Sequence, residues 1–173
     1  MDRPEAPDPA PSGRRDRAEI AALYVLAVIA YAVLGHRMPV PMVSPDEYTY
    51  GQLSQSIAHG DGLSWRGASE PFRSALYLVA IAPAWLGGST VSGYAIAKVL
   101  SAAMVCSVIF PAWLLARRIV GARLALLVAA LVVAGPSLIL AGEILTENLA
   151  YPLATWSLVA AVLALREIGR AHV

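Results

Sequence analysis

Three stretches of this chain, 99–116, 124–142 and 148–165, contain no Asp, Glu, Lys or Arg, and a fourth, 19–34, carries one acid at its very start. Runs of this kind leave few folds open. About 20 apolar residues in a helix cross the roughly 30 Å hydrocarbon core of a bilayer. Inside that core each segment must satisfy its own backbone polar groups, which selects helices. The predicted class is an all-α integral membrane protein. Hydrophobic residues make up 58% of the chain and charged ones 14%, against about 25% charged in soluble domains.

The 173 residues leave room for four or five spans. The choice turns on a short apolar stretch, 74–86 (SALYLVAIAPAWL). As a helix it is about 20 Å long at 1.5 Å per residue, and it contains Pro83. It reads as interfacial or re-entrant rather than spanning. Charge provides an independent criterion. With the N-terminal tail in the cytoplasm, as Arg3, Arg14, Arg15 and Arg17 require under the positive-inside rule, four spans place Arg117, Arg118, Arg123, Arg166 and Arg170 inside as well. Only Arg37, Arg66 and Arg73 are then left outside. A fifth span flips the ARRIVGAR turn outward and breaks the rule.

The expected organisation follows from this choice. Residues 1–17 form a charged, proline-rich, disordered cytoplasmic tail. Spans lie at about 19–35, 91–116, 122–142 and 148–166. An outer loop, 36–90, holds helices at about 45–59 and 73–87. Residues 169–173 are a cytoplasmic end or a truncation point. The implied location is the inner (plasma) membrane. The first apolar run is too long for a secretory signal, and no small-residue cleavage site follows it. Gly135-Pro136 is expected to kink or unwind the third span.

Near-balanced charge, 13 basic and 12 acidic residues, excludes a polybasic nucleic-acid binder. The single Cys106 excludes a disulfide framework or a cysteine-built metal site, and reads as a small buried apolar residue. There is no Gly-rich phosphate loop, dinucleotide fingerprint, nucleophile elbow or HExxH.

Two acidic clusters fall on the outer side. In Ser44-Pro45-Asp46-Glu47-Tyr48-Thr49-Tyr50, Ser44 as N-cap, Pro45 in the first turn and Glu47 three residues on make a capping box. That reading explains Glu47 fully and Asp46 in part. The helix then buries Tyr50, Leu53 and Ile57 and stops at Gly60. The second cluster is Glu143 and Glu147, which share a face if the segment is helical. Acids at the edge of a span are either functional or solvated among the headgroups. Two carboxylate clusters on one face can supply a general base, a cation-binding pair, or both. Arg66, Arg73 and Lys98 are available to an anionic group, although Lys98 also suits snorkelling. His36 and His59 lack metal-ligand spacing.

In this order and spacing the chain resembles the GT-C membrane glycosyltransferases, closest to the protein O-mannosyltransferase/aminoarabinose-transferase-like branch (glycosyltransferase family 39-like). The residues carrying the resemblance are the acidic pair after the first span, Tyr50…Gly60-Asp61, Pro71…Leu76-Tyr77, LLARRIVG, GPSLILAGEILTEN and LAYPL, across residues 20–166. It implies a GT-C-like N-terminal half that transfers a sugar, with inversion, from a polyprenyl-phosphate donor to an acceptor at the outer face. The family's first acidic motif falls on Asp46 and Glu47, with Asp46 as general base toward the acceptor hydroxyl. Its second acid falls on Glu147, where many relatives carry Asp, with Glu143 beside it. Tyr50, Arg73, Lys98 and Glu143 are the implied substrate contacts. Some members need a divalent cation, for which Asp46 and Glu147 are the ligands to expect. Family members are several hundred residues long with seven or more spans. The expectation is therefore a fragment, with a chain that works with partner subunits or an inactive remnant as the alternatives. The competing reading is a non-catalytic membrane subunit or scaffold that binds lipid or a partner protein.

Overall fold

The computed structural model describes residues 14–37, 45–66, 68–69, 74–135 and 142–171. These residues are mostly helical: α1 (Arg14–His36), α2 (Pro45–His59), a two-residue hairpin β1 (Ser64–Trp65) and β2 (Ala68–Ser69), α3 (Ala75–Ile81), a 3₁₀ turn (Ala82–Trp85), α4 (Thr90–Cys106), α5 (Ile109–Ala116), α6 (Ala122–Ala134) and α7 (Glu147–Ala171). Among the described residues, three helical segments are long and apolar enough to cross a membrane: Arg15–His36, Thr90–Ala116 and Glu147–Gly169.

Local chemistry explains most boundaries. Gly60 ends α2 with φ +88, its N–H bonding Ile57 O while Asp61 N–H bonds Ser56 O. That pair of bonds is a Schellman motif, which favours glycine at the left-handed position. Ser89 caps α4, its hydroxyl accepting from Ser92 N–H at 3.3 Å. The second apolar run is broken between α4 and α5. Pro111 has no N–H for the Ser107 carbonyl four residues back, and that carbonyl accepts from Phe110 N–H instead. The expected span at 91–116 is thus two helices joined by a tight turn.

The third expected span departs further. Its described helix covers only Ala122–Ala134 and ends at Gly135, whose backbone is extended (ψ −168), the conformation a following proline selects. Helix therefore does not run unbroken to residue 142. The unwinding expected at Gly135-Pro136 is present on its Gly135 side, and residues 136–141 lie outside the described residues. Expected helix 73–87 is α3 plus the 3₁₀ turn, with Pro83 in that turn. At the other end of the chain, α1 already begins at Arg14, within the stretch assigned to the tail.

Helix directions follow from cross-links. Asp16 at the start of α1 pairs with Arg117 at the end of α5, 3.2 Å apart. Tyr24 donates to Ala103 O at 3.1 Å, and Tyr31 donates to Val133 O near the end of α6. Lys98 in α4 reaches Gly35 O at 3.4 Å. So α1 runs antiparallel to α4–α5 and parallel to α6, while α7 packs on α4 and α5. Arg117, Arg118 and Arg123 gather at the end where α1 starts; the acidic clusters lie at the other end.

Candidate functional site

The site is built where α2 and the loop before α7 meet the first half of α4. Glu47, in the first turn of α2, is only 1% exposed. Its Oε1 accepts from the Tyr94 hydroxyl of α4 at 2.5 Å and from Ile144 N–H at 3.2 Å. Its Oε2 is buried and has no hydrogen-bond partner among the described residues. Whatever its capping role toward Ser44, which lies outside the described residues, Glu47 joins three segments distant in sequence. It is not presented at the surface.

Asp46 is. It is exposed at the start of α2, as is Glu147 at the start of α7. Near both is half-buried Tyr50, whose phenol is pushed up by burial and by the charges of Asp46 and then Glu147, against a hydrogen bond with Thr146. Two acids a hundred residues apart in the chain thus act on one tyrosine. Glu143 is half-buried in the loop, and its carboxyl is raised first by burial and then by the charge of Glu47, with Lys98 opposing.

A polar network underlies this surface. Tyr77 of α3 is 2.7 Å from the Ser101 hydroxyl and meets Tyr50 edge-on, ring centroids 6.5 Å apart. Asn148, fully buried, donates to Glu143 O at 2.9 Å and pins the loop to α7. Trp85 donates to the Ser54 hydroxyl at 2.8 Å, tying the 3₁₀ turn to α2. Lys98 is 5% exposed, with its ammonium 4.6 Å from the Tyr94 ring centroid.

No family model, curated protein or solved structure matches this chain.

Asp46, Glu47, Tyr50, Glu143, Glu147 and Lys98 are therefore gathered at one end of the bundle. Arg73, the remaining predicted contact, lies outside the described residues. Among the described residues, no three His, Cys, Asp or Glu side chains group as a metal site. Tyr94, Tyr77, Ser101 and Asn148 complete the network; Tyr77 and Asn148 fall in stretches that carry the resemblance but had no role assigned, and Tyr94 and Ser101 lay in no motif. Tyr94 did carry a signal, since it lies four residues before Lys98 and so on the same face of α4. Chemically, the surface offers an exposed carboxylate able to take a proton, a second exposed carboxylate, and a phenol near both. Beneath them is a rigid base.

Proposed function

We propose that this chain transfers a sugar from a polyprenyl-phosphate carrier to an acceptor hydroxyl, in the manner of the GT-C glycosyltransferases it resembles. The observation that carries this reading is the joining of the two acidic segments, Asp46-Glu47 and Glu143–Glu147, through the bond from Ile144 N–H to Glu47 and through Tyr50. In this reading Asp46 accepts the acceptor's proton as its oxygen attacks the anomeric carbon, and the polyprenyl phosphate leaves with the electron pair of the glycosidic bond. The anomeric carbon inverts. Glu147 and Tyr50 orient the reacting partners, and a divalent cation, if used, sits at Asp46 and Glu147. Glu47 is a positioning residue. Arg73 and Lys98 are the cations toward phosphate.

The same proposal includes four spans in the inner membrane, with α6 and residues up to 142 as the third, the N-terminus in the cytoplasm and the acids on the outer face. The pairing of Asp16 with Arg117 supports it, because it gathers the arginines that the positive-inside rule counts at one end of the bundle.

Membranes bearing the chain, supplied with radiolabelled polyprenyl-phosphate hexose and an acceptor, test the reading directly. Asp46→Asn should lower transfer by about a hundredfold or more, the scale of a lost general base, with membrane insertion unchanged. Equal rates in the two chains would overturn it. The burial of Glu47 and the commitment of its Oε1 to internal hydrogen bonds favour a second reading, a non-catalytic subunit or scaffold. On that reading Asp46→Asn changes only stability, by about 0.5–2 kcal/mol as for a weakened cap.

A further inference from the structure

The last turn of α1 does not close on the first turns of α4. Between them lies a cavity of about 150 Å³ lined by Ala32, Gly35, Val91, Tyr94, Lys98 and Val99, among others. Its walls are mostly apolar, with polar groups at His36, Tyr94 and Lys98; the Lys98 ammonium sits against two lining residues, Gly35 O at 3.4 Å and the Tyr94 ring. A wider groove of about 410 Å³ continues around α1 past Ile29, Val33 and Arg37, and the two share Ala32 and His36. Val33, Val91 and Val99 on the rim are exposed. In a bilayer such side chains face lipid.

An apolar groove open to lipid, with a buried ammonium at its polar end, differs from a soluble-ligand pocket. A free anion entering it loses hydration and gains only the cation. A membrane lipid already has its chain in the hydrocarbon beside this face and has only to place its phosphate at the cation. Lys98 also faces acids: Glu47 and Glu143 both act on it electrostatically. Glu47 Oε1 is already held by Tyr94 and Ile144, and exposed Arg37 and His36 add basic groups on the open side of the groove.

We propose that this groove holds the phosphate of an anionic glycerophospholipid between Lys98 and Arg37, with one acyl chain lying along α1. The groove shares Lys98 and Tyr94 with the acidic site, but its test reads lipid binding and does not depend on sugar transfer. Its test is thermal unfolding of the full chain in non-ionic detergent with short-chain phosphatidylglycerol, short-chain phosphatidylcholine or inorganic phosphate added. Phosphatidylglycerol should bind about tenfold more tightly than phosphatidylcholine, on the scale of the attraction between surface cations and anionic lipid, and inorganic phosphate should leave the unfolding temperature unchanged. Arg37→Gln and Lys98→Gln should each remove most of the preference. Ala95→Phe fills the cavity without touching a charge and should weaken both lipids. Because Arg37 and Ala95 are exposed, those two variants keep the test decisive even where Lys98→Gln fails to fold. Equal binding of the two lipids, a preference that survives Arg37→Gln, binding of both lipids unchanged by Ala95→Phe, or stabilisation by phosphate alone equal to that by phosphatidylglycerol would each overturn the proposal.

Discussion

The bundle has two packed regions, and they are held together by different chemistry. Where α1, the second half of α4, α5 and α6 meet, the buried residues are mostly small or aliphatic, among them Ala102, Val105, Cys106, Ile109, Ala125, Ala129 and Val133, with Tyr31 and Trp113 as the aromatic exceptions. Ala125, Ala129 and Val133 recur every four residues on one face of α6, which lets helices approach closely where lipid gives no hydrophobic drive between them. Where α2, α3, the 3₁₀ turn and the first half of α4 meet, apolar residues such as Leu53, Leu78, Ile81 and Ile144 share the interior with Glu47, Ser54, Lys98, Ser101 and Asn148. The first region keeps helices together in lipid. The second holds a surface in one shape, and a buried polar network does so only while every member keeps its partner.

The largest test of that contrast is Glu47→Ala. It leaves the Tyr94 hydroxyl and the Ile144 N–H without their acceptor, and two stranded buried donors at about 1–3 kcal/mol each give an expected loss of about 3 kcal/mol. Reversible unfolding in mixed micelles measures it. Glu47→Gln keeps an acceptor oxygen and should lose about half as much. A loss below 1 kcal/mol in Glu47→Ala would show that the network follows the packing of the second region rather than maintaining it.

Gly93→Ala comes next and probes the packing of the same region. A Cβ at Gly93 would lie 2.5 Å from a Trp85 ring carbon and 3.2 Å from Ala84 O. The indole must move, and its bond to the Ser54 hydroxyl goes with it. Overpacking of this kind costs about 1–3 kcal/mol, and Trp85 fluorescence should shift to the red as its surroundings loosen. An unchanged spectrum with unchanged stability would mean that the contact of the 3₁₀ turn with α4 is slack.

The two regions also differ in how far they could be read from the chain. Boundaries set by neighbours were accessible: α2 begins at Pro45 and stops at Gly60 because turn and cap chemistry acts over a few residues, and Gly135 unwinds before Pro136 for the same reason. The break at Ser107 was equally local, since Pro111 causes it, but hydropathy treats proline as one more uncharged residue and the run 99–116 appears continuous. Glu47 is the opposite case. Its pattern with Ser44 is a correct description of a capping box, yet its partners lie 47 and 97 residues away, and no local pattern announces them. The adjacency of the two acidic segments was accessible only through charge placement along the chain. Which of the paired acids faces outward, Asp46 rather than Glu47, required the packing of α2 on α3 and the 3₁₀ turn and the bond of Glu47 to Tyr94 of α4.

In the first region the polar link to test is Asp16 with Arg117. Their side chains are 25% and 20% exposed, and Arg117 also lies over Trp113, 4.8 Å from the ring centroid. Partial exposure screens the pair, so Asp16→Asn should cost about 0.5 kcal/mol, within the range for ion pairs near solvent. A loss as large as that of Glu47→Ala would erase the contrast between the two regions.

The smallest expected effect is a pH dependence at Glu143. Burial, with the charge of Glu47 adding to it and Lys98 opposing, raises this carboxyl above its ordinary value of 4.5. A group whose folded pKa lies above its unfolded one holds more protons folded than unfolded in the interval between the two, so unfolding free energy falls as pH rises through that interval and is level outside it. Other carboxylates titrate nearby, so the quantity to measure is the difference between the wild-type chain and Glu143→Gln from below pH 4.5 to neutrality. That difference should move against the wild type as pH rises from 4.5 and then flatten, by a small amount because Glu143 is half-exposed. Glu47→Gln removes one of the two charges acting on Glu143 and should shrink the effect further. Movement in favour of the wild type as pH rises would mean that Lys98 outweighs burial at this position, and the second region would then be held by attraction across the loop rather than by hydrogen bonds to its backbone.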